Sequence, residues 1–382
     1  MSIPLALYVH LPWCVRKCPY CDFNSHVHRG ALPQADYVTA LLRDLAADAP
    51  RARDRAVSSV FFGGGTPSLF APEEIAAFLA GARERVAIAP DAEVTLEANP
   101  GTIEHGRFAG YRDAGVNRIS LGAQSFSAAQ LRGLGRIHEA RDTARAVEEL
   151  AGAGLSNYNL DLMWALPGQT PGEALEDVAT AVSFAPPHLS HYQLTLEPGT
   201  VFHARPPALP DEDTVEAIQA ATHAKLAAHG YRQYEVSAWA KEGAECRHNL
   251  NYWRYGDYLG VGAGAHGKLT DAAGAITRTE KVRQPREYLE RAAGGSLVGT
   301  TAEVAPAERP FEFMLNALRL TEGFRVEDFE GRTGLAIGSI GEALERAKGR
   351  GLLEESGNGF RPTALGQRFL NDLTAFFLPG PR

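Results

Sequence analysis

Three cysteines within one short stretch, Cys14, Cys18 and Cys21, carry the most specific chemistry in the chain. Their spacing, C-x3-C-x2-C, brings three thiolates onto one loop, where they can wrap a single metal centre. Two centres suit that spacing. A zinc ion would take the three thiolates with His10, His26 or His28 as its fourth ligand. A [4Fe-4S] cluster would leave one iron without a protein ligand, open to a small molecule. The fourth cysteine, Cys246, stands apart, and a total of four in this arrangement fits a metal or cluster site in a reducing compartment better than a disulfide framework.

The other residues able to do chemistry recur near the ends of apolar strands. The glycine-rich GGGTPS (63–68) and Gln124 each follow one, Glu97 closes one, and Asp161 lies on one. The strands read as 5–11, 58–63, 92–98, 117–123, 157–163 and 189–196, and helical patterns such as 36–49, 72–87 and 140–154 separate them. Strand and helix alternate six times, which predicts a parallel sheet with right-handed crossovers. Periodicity alone fits a barrel, a partial barrel or an open doubly wound sheet. The position of the reactive residues favours a barrel, because parallel barrels build their sites from loops at the C-terminal ends of several strands. Six strands instead of eight predict an α/β fold with a partial (β/α)6 TIM-like barrel and a lateral mouth.

The chain has 382 residues, enough for two or three domains. Residues 1–235 read as the barrel core, 236–304 as a barrel extension and linker containing HNLNYW, and 305–382 as a winged-helix-like α+β domain. A two-stranded wing is expected at 351–363. Hydrophobic residues make up 45% and charged residues 22%, which excludes whole-chain disorder. With 38 basic against 46 acidic residues the net charge is -8, and the C-terminal 305–382 holds 10 basic against 11 acidic residues. Neither balance supports nucleic-acid binding. The N-terminus lacks a signal-peptide pattern, and no apolar run reaches the ~18 residues of a membrane span, so a cytoplasmic location is expected, with peripheral membrane docking left open.

YVHLPWCVRKCPYCDF (8–23) resembles the cluster loop of the radical S-adenosylmethionine (SAM) superfamily, and GGGTPS resembles that family's glycine-rich segment. The resemblance implies a [4Fe-4S] cluster on Cys14, Cys18 and Cys21 whose open iron is chelated by SAM, the source of a 5′-deoxyadenosyl radical. EANPGT, GAQSF, LGRIH, NLDLMWALPGQT and HNLNYW narrow it to the oxygen-independent coproporphyrinogen III dehydrogenases and their HemW-type relatives, over nearly the whole chain. By motif position Tyr8, Gly64, Gly65, Thr66, Glu97, Gln124, Arg136 and Asp161 correspond to SAM contacts. Glycines there are expected to let the backbone approach SAM without a Cβ in the way.

The resemblance implies one of two functions. A dehydrogenase would convert porphyrinogen propionates to vinyl groups, whereas a heme chaperone would carry heme, as cargo, to apo-hemoproteins such as respiratory enzymes. Three features favour the chaperone. The dehydrogenases have a further cysteine two positions after the third, where this chain has Phe23; only seven residues precede Tyr8; and HNLNYW is a signature of the HemW side. No catalytic residue is assigned. His248 is the candidate heme ligand, although a histidine beside Asn249 and Asn251 is more often a hydrogen-bonded structural residue. Cys246 reads chiefly as a small buried residue, and His266 as a contact to adenine or to nothing.

Overall fold

The computed structural model describes residues 3–101 and 107–379. Thr102, which ends the EANPGT motif, lies outside them. Strand β1 (Leu5–Leu11) runs into the cysteine loop, which holds two short paired strands, β2 (Trp13–Cys14) and β3 (His26–Val27). The barrel continues through β4 (Val57–Gly64), β5 (Ile88–Ala98), β6 (Arg118–Gln124), β7 (Tyr158–Trp164) and β8 (His188–Gln193), all paired in parallel in that order. Helices α1 (Gln34–Ala52), α2 (Pro72–Arg83), α3 (Phe108–Ala114), α4 (Ala128–Gly133), α5 (Ala140–Gly152) and α6 (Pro171–Ser183) lie in the connections. At the start of α6 the sequence T-P-x-E makes a full capping box. Thr170 Oγ1 accepts from the Glu173 amide at 3.3 Å, Glu173 Oε2 accepts from the Thr170 amide at 2.8 Å, and Pro171 occupies the first turn.

Alternation along the strands separates two environments. Leu5, Leu7, Val9, Phe62, Leu96, Ile119, Leu160 and Leu162 join the apolar core under the helices, each worth on the order of 2 kcal/mol when removed from water. The opposite face lines the barrel interior and is polar: Ser59, Thr95, Glu97, Arg118, Asn159 and Asp161 alternate with the apolar set. Apolar packing outside thus holds a polar chamber inside.

The sheet is larger than six strands. After α7 (Val201–Ala204) and α8 (Glu212–Ala228), the strand expected near 234–240 is a hairpin, β9 (Arg232–Glu235) and β10 (Ala238–Ala240), set antiparallel on β8. HNLNYW forms helix α9 (Arg247–Trp253) at the N-terminal end of the barrel. Strand β11 (Asp257–Val261) then pairs in parallel with β1, and β12 (His266–Thr270), β13 (Ile276–Lys281) and β14 (Val298–Glu303) extend the edge, with α10 (Pro285–Ala292) between the last two. The polar stretch read as a linker is therefore folded. Its polarity has two sources. Strand β14 is an edge strand with an almost wholly exposed pattern, and buried Lys281 of β13 gives its ammonium to Asp44 at 2.5 Å and Asp48 at 2.6 Å, both on α1. Charge pairing there replaces apolar packing, and period-two hydrophobicity disappears.

The complete order is β14-β13-β12-β11-β1-β4-β5-β6-β7-β8-β10-β9, and its two ends do not pair with each other, so the barrel is partial. The C-terminal domain fastens to both edges. Helix α11 (Arg309–Ala317) places Glu312 2.7 Å from Arg278 of β13, while Leu320, just beyond it, bridges to Glu235 of β9. Strand β15 (Phe324–Arg325), helices α12 (Val326–Thr333) and α13 (Gly341–Gly349), and the wing strands β16 (Leu353–Glu355) and β17 (Gly359–Pro362) complete a winged-helix-like unit. Its core of Phe313, Phe329, Leu344 and Leu373 also takes in Tyr255 and Ile276 from the barrel extension.

Candidate functional site

The C-terminal ends of the barrel strands surround a cavity of about 1210 Å³, counted with its open mouth. Cys14, Cys18 and Cys21 line it, together with Gly64, Gly65, Thr66, Glu97, Gln124, Arg136 and Asp161. Of the eight residues matched to SAM contacts, only Tyr8 is outside that lining. It stands deeper in the barrel, its hydroxyl 2.9 Å from His10 Nδ1. His266 is also outside the lining, two-thirds exposed and 4.0 Å from Glu280.

Each cysteine sulfur has a hydrogen-bonding side chain beside it, each from a different segment. Thr66 Oγ1 is 3.6 Å from Cys14 Sγ, Arg136 Nη1 is 3.7 Å from Cys18 Sγ, and Ser25 Oγ is 3.8 Å from Cys21 Sγ. Burial raises the thiol pKa of Cys14 and of Cys21, and bonds from Thr66 and Ser25 act against that by favouring the thiolate. The three histidines that could complete a zinc site are engaged elsewhere: His10 with Tyr8 and the Asn24 carbonyl, His26 with Asn24 Oδ1, His28 with the Ala31 carbonyl. Among the described residues, no three His, Cys, Asp or Glu side chains converge closely enough to hold one metal ion. Three cysteine sulfurs that line one cavity, each with a hydrogen-bonding side chain beside it, fit the thiolate ligands of an iron–sulfur cluster.

The glycine-rich loop is stitched to the cysteine loop through its backbone. Gly65 N–H donates to the Leu11 carbonyl and Thr66 N–H to the Trp13 carbonyl, both at 2.8 Å. A Cβ on Gly64, whose φ is +116°, would fall 2.6 Å from the His10 ring, and one on Gly65 would fall 2.4 Å from the Trp13 carbonyl oxygen. Close approach inside the protein therefore already demands both glycines, whatever the ligand.

Glu97 and Asp161 share the chamber wall. Burial, reinforced by Asp161, raises the Glu97 pKa to about 8 against the pull of the Gly64 N–H. Burial also raises Asp161, although Asn159 donates to it at 2.7 Å and Ser120 at 3.3 Å. Two carboxyl groups facing one enclosed space make it receptive to a cation. Gln124 sits where β6 and β7 shift register and adopts φ +66°, a left-handed conformation rare outside glycine. That turn brings its amide to the cavity, where Oε1 accepts from Tyr192 at 2.6 Å. Backbone strain of this kind is characteristic of functional sites.

The structure separates His248 and Cys246 from this cavity. His248 is fully buried in α9, with Nδ1 3.1 Å from Ser59 Oγ and Nε2 3.2 Å from Tyr252 Oη, and its ring stacks on Phe61. Both ring nitrogens are occupied, and burial lowers the pKa to about 3, so the ring is neutral. Cys246 caps the same helix and donates its thiol to Glu93 at 3.5 Å; burial pushes that thiol up to about 12.

Sequence reasoning did not single out Asn99, Tyr20, Tyr192 or Ser25. Asn99 was within reach, since EANPGT places it two residues after Glu97 at the same strand end. Tyr192 stands one residue before the end of the sixth strand, the one strand end to which no site residue was assigned.

Residues 8–181 match the family model of the radical SAM superfamily, and residues 304–369 that of the HemN C-terminal domain. The chain is 49% identical to the heme chaperone HemW of Escherichia coli, with 98% of each chain covered. The chain belongs to the HemW family. A second HemW, from Haemophilus influenzae, is 47% identical, again over 98% of both chains. Among solved structures, coproporphyrinogen III oxidase (HemN) of Escherichia coli superposes with a TM-score of 0.82 over 98% of this chain and 90% of its own. At 22% identity that likeness concerns the fold. This chain thus carries a radical SAM segment and a HemN-type C-terminal domain on a fold like that of HemN.

Proposed function

We propose that the chain is a heme chaperone that carries a [4Fe-4S] cluster and a SAM site and passes heme to apo-hemoproteins, in the cytoplasm. The observation that carries the reading is the end-to-end likeness to HemW in a chain whose three cysteines and seven SAM-type residues line one cavity. The cluster would supply one-electron reduction and an open iron able to chelate an amino acid. Cys14, Cys18 and Cys21 would hold it. Glu97 and Asp161 present carboxyl groups to the cationic parts of SAM, Arg136 and Thr66 present donors, and the Gly64–Gly65 turn shapes the floor. No helix among the described residues is long and apolar enough to cross a membrane.

The dehydrogenase reading is the alternative, and Phe23 speaks against it: an exposed aromatic ring stands where a further cysteine is expected. The test runs both reactions on one preparation. Cluster-loaded, reduced protein is incubated with SAM and coproporphyrinogen III, and separately titrated with heme at the Soret band, then mixed with an apo-hemoprotein. Stoichiometric heme binding and transfer without protoporphyrinogen are expected. Turnover of the porphyrinogen would favour the dehydrogenase, and failure to bind heme would end the chaperone reading.

A further inference from the structure

Three side chains, Arg136, Asn99 and Thr66, join two of the cluster cysteines into one hydrogen-bonded circuit. From Cys18, Arg136 Nη1 donates to the sulfur, and Arg136 Nη2 donates to Asn99 Oδ1 and, at 2.8 Å, to the Gly122 carbonyl. Asn99 Nδ2 then donates to Thr66 Oγ1 at 2.9 Å, and Thr66 Oγ1 donates to Cys14 Sγ at 3.6 Å. The contributors come from three separate loops, after β4, β5 and α4.

The direction of every bond in this circuit is fixed by chemistry. A guanidinium only donates, so the Asn99 oxygen must face Arg136 and its amide N–H2 must face Thr66. A hydroxyl that accepts from an amide keeps its own proton for another partner, and the group in front of it is Cys14 Sγ. Asn99 thus forces Thr66 to be a donor to sulfur. An aspartate at the same position would accept from Thr66 and turn the hydroxyl away.

Hydrogen bonds to cluster sulfurs are among the factors that set an iron–sulfur reduction potential, because they stabilise the extra negative charge of the reduced state. We infer that Asn99 is a positioning residue which aims Thr66 at Cys14 and holds Arg136 at Cys18, and so raises the reduction potential of the cluster. The inference rests on the proposed [4Fe-4S] site and assigns Asn99 a role in it.

The experiment is an EPR-monitored redox titration of the full-length, cluster-loaded protein without SAM, comparing native, Asn99→Ala, Thr66→Val and the double variant. Iron and sulfide analysis of the native protein comes first. Absence of about four of each would overturn the cluster reading itself, independently of Asn99. With the cluster present, Asn99→Ala should shift the midpoint to a more negative value, lowering the reduced-to-oxidised ratio at a fixed poise about tenfold, which for one electron is about 59 mV. Thr66→Val should shift it the same way, and the double variant should shift less than the sum, since Asn99 acts partly through Thr66. An unchanged midpoint in Asn99→Ala, or strictly additive shifts, overturns the inference. If Asn99→Ala fails to hold a cluster, Asn99→Asp replaces it; there the negative shift must shrink when Thr66 is already valine, and a shift of equal size in both backgrounds overturns the inference.

Discussion

Glu97 provides a quantitative test of the SAM site. In the SAM-free chamber burial and Asp161 hold its pKa at about 8, so at pH 7 about nine in ten molecules carry a neutral Glu97. A unit positive charge at contact distance would attract the ionised form by roughly 4 kcal/mol at an effective dielectric of 20, so a cation held against Glu97 would lower its pKa by about three units. Binding should therefore release up to one proton from Glu97 between about pH 5 and pH 8, costing about 1.4 kcal/mol for each unit below 8. Affinity should rise on the order of 70-fold from pH 6 to pH 8.5 and then level off. The amino group of the ligand titrates near 8 as well, so the informative quantity is the difference between native and Glu97→Gln proteins. Isothermal titration at pH 6, 7, 8 and 9, in pairs of buffers with different ionisation enthalpies, gives both affinity and proton count. Glu97→Gln should lose the Glu97 part of the slope and bind at least about tenfold more weakly at pH 8.5. Identical pH profiles in the two proteins would refute the reasoning. The sign carries over to stability. A carboxyl whose pKa is raised on folding has its full stability below its unfolded value of 4.5 and loses it as pH rises through 8, so Glu97→Gln should raise the Tm of the SAM-free protein increasingly over that window.

Serine at Cys14, Cys18 or Cys21 should abolish cluster loading, read as iron and sulfide content, while Cys246→Ser should keep it, since that thiol faces Glu93 and does not line the cavity. His248→Ala should leave the Soret spectrum of bound heme unchanged but destabilise the protein by about 3 kcal/mol in urea unfolding, through a cavity and two unpaired hydroxyl partners. Because burial lowers the His248 pKa from 6.5 to about 3, the stability it contributes is lost as pH falls through that interval, and the variant should lose less on acidification. A spectral change in His248→Ala would instead favour axial ligation. Gly64→Ala should cost at least about 1–3 kcal/mol, because it strains a φ of +116° and drives a methyl group into the His10 ring; a wild-type Tm would contradict the packing described.

The sequence alone determined what is written in short, contiguous patterns. Cysteines three and four residues apart define a loop that can grip a cluster, and period-two apolar runs separated by helices define the six parallel strands and the ends where reactive residues gather. Glu97, Gln124 and Asp161 were legible because each stands at or near such an end. The tertiary structure decided whatever depends on partners distant in sequence. Asn99 matters only because folding brings it to Thr66, 33 residues away, and to Arg136, 37 away; Arg136 reaches Cys18 across 118. His248 could be read from the sequence either as a heme ligand or, more often for such a residue, as a structural histidine; its partners, Ser59, 189 residues earlier, on one nitrogen and Tyr252 on the other, come only with the fold. Strands β13 and β14 were hidden because a buried Lys281 draws its stability from Asp44, 237 residues away, and an edge strand needs no apolar face. Hydrophobic alternation is a local code, set by which face of each residue meets water. The pairing of polar groups inside a chamber is set by the superposition of strands that the chain visits far apart, and no window of sequence contains it.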